Sequence, residues 1–198
     1  MNLTDSVTLT GRCVTLVPLS PAHHDDLVEA TRDGELWKLW YTTVASPEQM
    51  RGEIERRLDL HAKGSMLPFA VVENATGSAV GMTTYMNIDA KNHRVEIGST
   101  WYRKRVQRSA INTECKFMLL AHAFDTLKCN AVEFRTSFFN YASRKAIERL
   151  GAKLDGILRQ HMLLPNGTIR DTCVYSIIPC EWPSVQAHLQ FQLSKPRS

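Results

Sequence analysis

The chain lacks the marks of several large protein classes. No apolar run approaches the ~20 residues a membrane span needs, and the start, MNLTDSVTLTGR, has no signal-peptide core. No C-x-x-C pair occurs, and the five cysteines (Cys13, Cys115, Cys129, Cys173 and Cys180) are odd in number and scattered. That argues against a disulfide framework and against a zinc site, and points to buried reduced thiols in a cytoplasmic protein. His23-His24 and His161 have no metal-ligand spacing, so no metal is expected. Internal repeats and low-complexity segments are missing too. The excess charge is small: a net +4 suits a small anionic ligand and is too weak and spread to imply nucleic acid. The basic Lys195-Pro196-Arg197 tail reads as a solvated end.

What is present is ordinary globular material. With 43% hydrophobic and 22% charged residues, 198 residues fill one core and are short for two, so one domain over 1–198 is expected. Arg12–Leu19 alternates polar and apolar residues as a half-buried strand does. Ser20-Pro21 reads as a helix cap followed by a helix-starting proline, leading into Ala22–Thr31. Ser46-Pro47-Glu48-Gln49 carries a capping-box pattern and opens a helix over about 48–62. Leu67–Glu73 and Ala79–Ile88 flank the turn Asn74–Gly77 and predict a hairpin, with Arg94–Tyr102 as a third strand beside them. Helical spacing runs over Ile111–Leu127, and Ala131–Ser137 is again strand-like. Asn140–Leu150 reads as a helix stopped by Gly151. Strands near 153–164 and 169–178 flank Pro165-Asn166-Gly167, and a short helix over 181–193 closes the chain. The order predicts an α/β (α+β) fold: a mixed, mostly antiparallel sheet of about seven strands with helices on both faces. The helix over 111–127 allows a parallel crossover between the strands it joins.

The stretch WYRKRVQRSAINTECKFMLL, Trp101 to Leu120, is the most telling. A strand ends there in a basic turn that opens directly into a helix. The first N–H groups of a helix have no intrahelical partner, and the peptide dipoles leave partial positive charge at that end. With Arg103, Lys104, Arg105 and Arg108 around it, the helix start is a seat for phosphate.

The element order and four local matches together resemble the GNAT superfamily of acetyl-CoA-dependent N-acetyltransferases, in its RimJ/RimL-type branch, over roughly 11–182. Arg105-Val106-Gln107-Arg108-Ser109-Ala110 fits the pyrophosphate loop R/Q-x-x-G-x-G/A at Arg105 and Ala110, and Asn112-Thr113-Glu114 fits the x-T-E that follows. Asn140-Tyr141-Ala142-Ser143 with Glu148 through Gly151 fits N-x-x-S…E-x-x-G, and Val95-Glu96-Ile97-Gly98 fits the E-I-G strand. The loop departs from the pattern at Arg108, where the family has glycine. Arg108 is compatible with the motif if its side chain turns away or itself meets phosphate.

The resemblance implies acetyl-CoA as donor, a GNAT fold, and direct attack by an amine without an acyl-enzyme. It makes Glu96 the candidate general base, against the blander reading of a carboxylate paired with Arg94 on the same strand face. Ser143 is the candidate for hydrogen bonding or protonating the CoA thiolate, because Ile147 stands where many relatives carry the acidic tyrosine. Back-bonding to its own helix is the other reading of Ser143. The N–H groups from Gln107 through Arg108, Ser109, Ala110 and Ile111 to Asn112 are assigned to the diphosphate, and the Trp101-Tyr102 backbone to the pantetheine. Asn140 caps its helix and contacts CoA; Arg144 meets a CoA phosphate or lies exposed. Trp37, Trp40 and Tyr41 form an aromatic group in the early helical region, core or acceptor pocket. The implied acceptor is a protein N-terminus. A small-molecule amine (polyamine, amino acid or antibiotic) and a non-catalytic acyl-CoA-binding module are the alternatives. Relatives imply a homodimer; no nucleic acid and no membrane partner is expected.

Overall fold

The computed structural model describes residues 3–195; Pro196 and Arg197 of the basic tail lie outside them. Eight strands form one sheet: β1 (Leu9–Thr10), β2 (Val14–Pro18), β3 (Met66–Glu73), β4 (Ala79–Asp89), β5 (Arg94–Tyr102), β6 (Ala131–Ser137), β7 (Lys153–Leu163) and β8 (Ile169–Ile177). Their spatial order is β1-β2-β3-β4-β5-β6-β8-β7. All neighbours are antiparallel except β5 and β6, the pair joined by the long helical crossover. The sheet is therefore the mixed, mostly antiparallel one expected, with one strand more. That strand, β1, is two residues long and too short to show a period.

Among the described residues five α-helices cover the sheet: α1 (His24–Arg32), α2 (Met50–Ala62), α3 (Ile111–Ala121), α4 (Tyr141–Glu148) and α5 (Trp182–Ser194). Their apolar stripes decide which face each takes. Leu27, Ala30, Met50 and Ile54 of α1 and α2 pack with Ala70, Met82 and Trp101 on one face. Ile111, Cys115, Leu119, Ile147, Val185 and Leu189 of α3, α4 and α5 pack with Val95, Ile97, Phe134 and Tyr175 on the other. Helices thus lie on both faces.

Local signals act where the sequence puts them. The Gln49 side-chain carbonyl accepts from Ser46 N–H at 3.2 Å, half of the capping box. Asn140 Oδ1 accepts from Ser143 N–H at 3.0 Å and caps α4. Two expectations are corrected. The helix over 111–127 is α only to Ala121 and widens into a π-helical turn over His122–Thr126. The aromatic segment is not helical beyond the single turn Leu36–Lys38. Gly34 and Glu35 both adopt positive φ, which ends α1 and leaves no continuous helix to bury the rings.

Candidate active site

β5 and β6 run parallel and side by side only from Arg94 to Glu96 and from Ala131 to Glu133. Beyond Glu96 they part, and β5 from Ile97 to Tyr102 keeps β4 on one edge and, among the described residues, no strand on the other. The sequence around Ser99 explains the parting. Ser99 has φ +48°, and the β4–β5 register slips between Thr84–Gly98 and Met82–Trp101, a bulge that bends β5 away. The result is a V-shaped cleft with a free strand edge as one wall.

Two buried cations that sequence reasoning missed hold this bulge from opposite faces. Arg57 of α2, 3% exposed, donates Nη2 to Ser99 O (3.3 Å), Nη1 to Thr84 Oγ1 (2.7 Å) and Nε to Glu53 (2.7 Å). Lys116 of α3, 6% exposed, donates to Thr100 Oγ1 (2.8 Å) and Thr83 Oγ1 (3.2 Å). No carboxylate partners Lys116 among the described residues, and burial pulls its ammonium down to about 8. A lone Lys or Arg on an amphipathic helix reads as surface, so no sequence signal marked either residue.

At the C-terminal end of β5 the basic turn is tied to α1. Asp33 accepts from Arg105 N–H (3.1 Å) and Arg103 Nε (3.1 Å), which hold its carboxyl below the usual range. The Arg105 guanidinium turns away from the helix start to Glu73 (3.1 and 2.5 Å). Gln107 Nε2 donates to Tyr102 O (3.0 Å), and Ser109 Oγ accepts from Ile111 N–H at 3.2 Å. The N–H groups of Arg108, Ala110, Asn112 and Thr113 find no acceptor among the described residues. Arg108 is exposed, with φ +63°. The backbone therefore keeps the left-handed conformation that glycine favours even without the glycine. Glu114 anchors the start of α3 by accepting from Arg12 N–H and Cys13 N–H, each at 2.8 Å. Trp101 and Tyr102 send their side chains to opposite cores, which leaves their backbone at the strand edge.

At the closed end of the V lies Glu96, 5% exposed. Its carboxylate accepts from Asn87 Nδ2 at 2.7 Å and lies 3.5 Å from Arg135 Nε. Burial pushes Glu96 above the usual carboxylate range and Glu133 adds to this, while Asn87, Arg135 and Arg170 oppose it. Gly98 keeps room for it: a Cβ there would lie 2.9 Å from Glu96 Oε1 and 2.6 Å from Met86 Sδ. Arg94, the partner for Glu96 in the blander reading, instead pairs across strands with Glu133 (Nε–Oε1 3.0 Å), and Arg135 takes its place. The register sets Glu96 directly opposite Glu133, so side chains on neighbouring strands are closer than those two apart on one strand.

On the β6 side, Ser143 is half-buried near the start of α4, and its hydroxyl has no partner among the described residues. Ile147 is buried core, so the tyrosine of other family members has no substitute there. Arg144 is occupied by Tyr175 Oη (3.2 Å) and Phe138 O (3.3 Å), with its guanidinium 4.8 Å from the Phe138 ring. Trp40 (50% exposed) meets Phe139 (53%) at 5.7 Å between ring centroids. The early loop and the β6–α4 turn so touch through exposed rings rather than through core. Among the described residues no group of His, Cys, Asp and Glu is placed to hold a metal.

A free strand edge, a helix start with unsatisfied N–H groups, and a buried carboxylate at the apex fit a long phosphorylated thioester and an amine meeting in the cleft. Residues 14–153 match the acetyltransferase (GNAT) domain model, and the chain belongs to that family of acetyl-transferring enzymes. It is 33% identical over 106 residues to the "Putative ribosomal N-acetyltransferase YdaF" of Bacillus subtilis, a match covering 54% of this chain and 57% of that relative. The chain thus spans less than two thirds of that relative's length. A GCN5-related N-acetyltransferase from Brucella melitensis superposes with a TM-score of 0.85 at 30% identity, covering 96% of this chain and 86% of the other. Mycobacterium smegmatis RimJ, solved in complex with CoA-disulfide, shares the fold at TM-score 0.81 and 19% identity, with 97% of each chain covered.

Proposed function

We propose that this chain moves an acetyl group from acetyl-CoA to a primary amine by direct attack, and that the amine is the N-terminus of a protein. The observation that carries this is Glu96: a buried carboxylate with raised proton affinity, at the apex of a cleft walled by a free strand edge. Acetyl-CoA supplies the activated thioester. The edge of β5 from Trp101 to Tyr102 offers its pantetheine a strand to pair with, and the open N–H groups of Arg108, Ala110, Asn112 and Thr113 at the start of α3 receive its diphosphate; those of Gln107, Ser109 and Ile111, also assigned to it from the sequence, are already taken by Lys104 O, Val106 O and Ser109 Oγ. Glu96 takes the proton from the acceptor ammonium, directly or through water, so that a neutral amine attacks. The free hydroxyl of Ser143 hydrogen-bonds the departing sulfur, and Asn140 orders the turn that presents it.

Direct attack is favoured because no thiol is poised as a nucleophile at the cleft. Burial pushes Cys13 and Cys115 up to about 12 and Cys129 up to about 11, and it raises Cys173 of β8 as well against the pull of Arg144 and Arg170, so all four remain protonated at neutral pH. The named kinship with ribosomal N-acetyltransferases supports a protein N-terminus over a small amine, and such an acceptor places the enzyme in the cytoplasm. We assign the homodimer to the open edge of β7, where Leu158, Met162 and Leu163 are exposed; sedimentation at monomer mass removes that assignment. Release of free thiol from acetyl-CoA, followed with peptides bearing free N-termini, tests the function. Thiol release dependent on the peptide is expected. Tight CoA binding without thiol release from any amine contradicts it.

A further inference from the structure

Glu96 is held by a residue that regular strand pairing would send to the opposite face. Met86 pairs with Glu96 and Asp89 with Arg94, so β4 places two residues, Asn87 and Ile88, where β5 has only Val95. Side chains alternate along a strand, and without the extra residue Asn87 would stand opposite Val95, toward the core under α3. Ile88 takes that place and packs against the core that holds Val95. Asn87 is the added residue of a β-bulge, with φ +47°, and its amide turns to the Glu96 side. That backbone region strains most side chains, and asparagine is among those that tolerate it. Asn87 is exposed, so packing does not account for it. Its Nδ2 donates to Glu96 Oε2 at 2.7 Å, and Arg135 Nε lies 3.5 Å from the same oxygen. Oε1 accepts no hydrogen bond among the described residues. It lies over Gly98, where a Cβ would come within 2.9 Å. Gly98 stands just past the last β5–β6 pair, where the cleft opens.

Each carboxylate oxygen carries its own lone pairs, so a donor fixed on one leaves the other for an incoming proton. We propose that Asn87 is a positioning residue: by pinning Oε2 it sets the plane of the carboxylate and leaves Oε1, over Gly98, as the oxygen that takes the proton of the acceptor ammonium. The inference rests on the reading of Glu96 as the acceptor-side base. In that step the N–H bond breaks with its electron pair left on nitrogen, and the proton passes to Oε1. Asn87 touches only Oε2. Arg135 cannot replace it: its Nε is buried with no hydrogen-bond partner, so it supplies charge to Oε2 without a directed bond. The other charged groups that act on Glu96 are Glu133 of β6, which Arg94 of β5 pairs, and, most weakly, Arg170 of β8. Among the described residues Asn87 alone makes a hydrogen bond to this carboxylate.

Two variants separate the amide from the bulge. Glycine accepts positive φ, so Asn87→Gly keeps the backbone and removes the donor, while Asn87→Asp keeps the shape and puts a carboxylate in the donor's place. Glu96 is titrated by carbon-13 NMR of its carboxyl carbon, assigned by its absence in Glu96→Gln. Turnover is followed as thiol release from acetyl-CoA with a peptide bearing a free N-terminus. Losing a donor to the charged form raises the proton affinity of a carboxylate. Glu96 is therefore expected to titrate at higher pH in Asn87→Gly than in the wild type, and higher still in Asn87→Asp. The acid limb of the kcat profile is expected to move in the same order. On that limb kcat in Asn87→Gly should be down about tenfold, with KM for acetyl-CoA within about twofold. A Glu96 titration unmoved by Asn87→Gly overturns the proposal, as does a uniform loss of kcat with the limb in place. Failure of the base reading itself looks different: Glu96→Gln would release thiol like the wild type, while the carboxyl titration would still move in Asn87→Gly.

Discussion

On the β5 side of the cleft, charged groups are bonded within the fold, with Arg57 and Lys116 buried in it; on the β6–β8 side Arg135 and Arg170 are half-exposed. Arg57 and Lys116 reach β5 from opposite faces and fix the Ser99–Thr100 bulge. Arg105 and Asp33 tie the following turn to α1. Across the cleft, Arg135 and Arg170 keep donors without acceptors, and Trp40 and Phe139 meet as exposed rings. Buried polar groups need partners, so a wall that satisfies them internally is rigid, and one that leaves donors open is arranged for something that arrives. On the function proposed above, the difference is a division of labour: a preformed wall for the donor and an adaptable one for the acceptor. Glu96 stands where the two walls join.

The largest effect is expected at that joint. Glu96→Gln keeps the size and the Asn87 contact but removes the base, so turnover should fall by about 10²- to 10⁴-fold. CoA affinity, measured by calorimetry, should stay within about twofold if the donor is held by the other wall. A matching loss of CoA affinity would erase the division.

Lys116 gives the next. Its ammonium is drawn down to about 8 from 10.5, so between those values the unfolded chain holds a proton that the folded chain has lost. Folding through this group therefore becomes more favourable as pH rises across that window, by up to about 3 kcal/mol. The raised thiols of Cys13 and Cys115 act in the opposite sense above pH 9, so the quantity to measure is the difference between wild type and Lys116→Met. The urea midpoint of the wild type should rise relative to that of the variant from pH 8 toward pH 10.5; a constant difference would mean that Lys116 is not the buried cation described. Arg57→Met strips Ser99 O and Thr84 Oγ1 of their donor while Arg56 still partners Glu53, and should cost about 2 kcal/mol and weaken CoA. Unchanged CoA affinity at lowered stability would separate the bulge from donor binding.

Arg108→Gly is the smallest. It relieves a left-handed residue and should gain about 1 kcal/mol, with CoA affinity near wild type because the backbone N–H groups are retained. A tenfold loss would show that the Arg108 side chain, not the backbone, makes the grip.

The sheet was legible because its signals are local. Alternation marked the strands, Asn74–Gly77 and Pro165–Gly167 marked hairpins, and the helix read over 111–127 allowed the parallel crossover. A strand motif singled out Glu96 as a candidate, although its partner could not be read: Arg135 lies 39 residues away in sequence and is adjacent only after β5 and β6 pair. Arg57, Lys116 and Arg170 left no local trace, because a buried cation and a solvated one have the same spacing until the chain folds. The aromatic group at Trp40 and Tyr41 was legible as a cluster but not as a surface, since the positive φ at Gly34 and Glu35 decides that the helix stops.

Amide shifts on adding CoA to ¹⁵N-labelled protein test the central claim most directly. Large changes are expected along Ile97–Tyr102 and Arg108–Thr113, the free edge of β5 and the start of α3, with little change in β7. Changes that leave both segments untouched would contradict the assignment of this cleft to the acetyl donor.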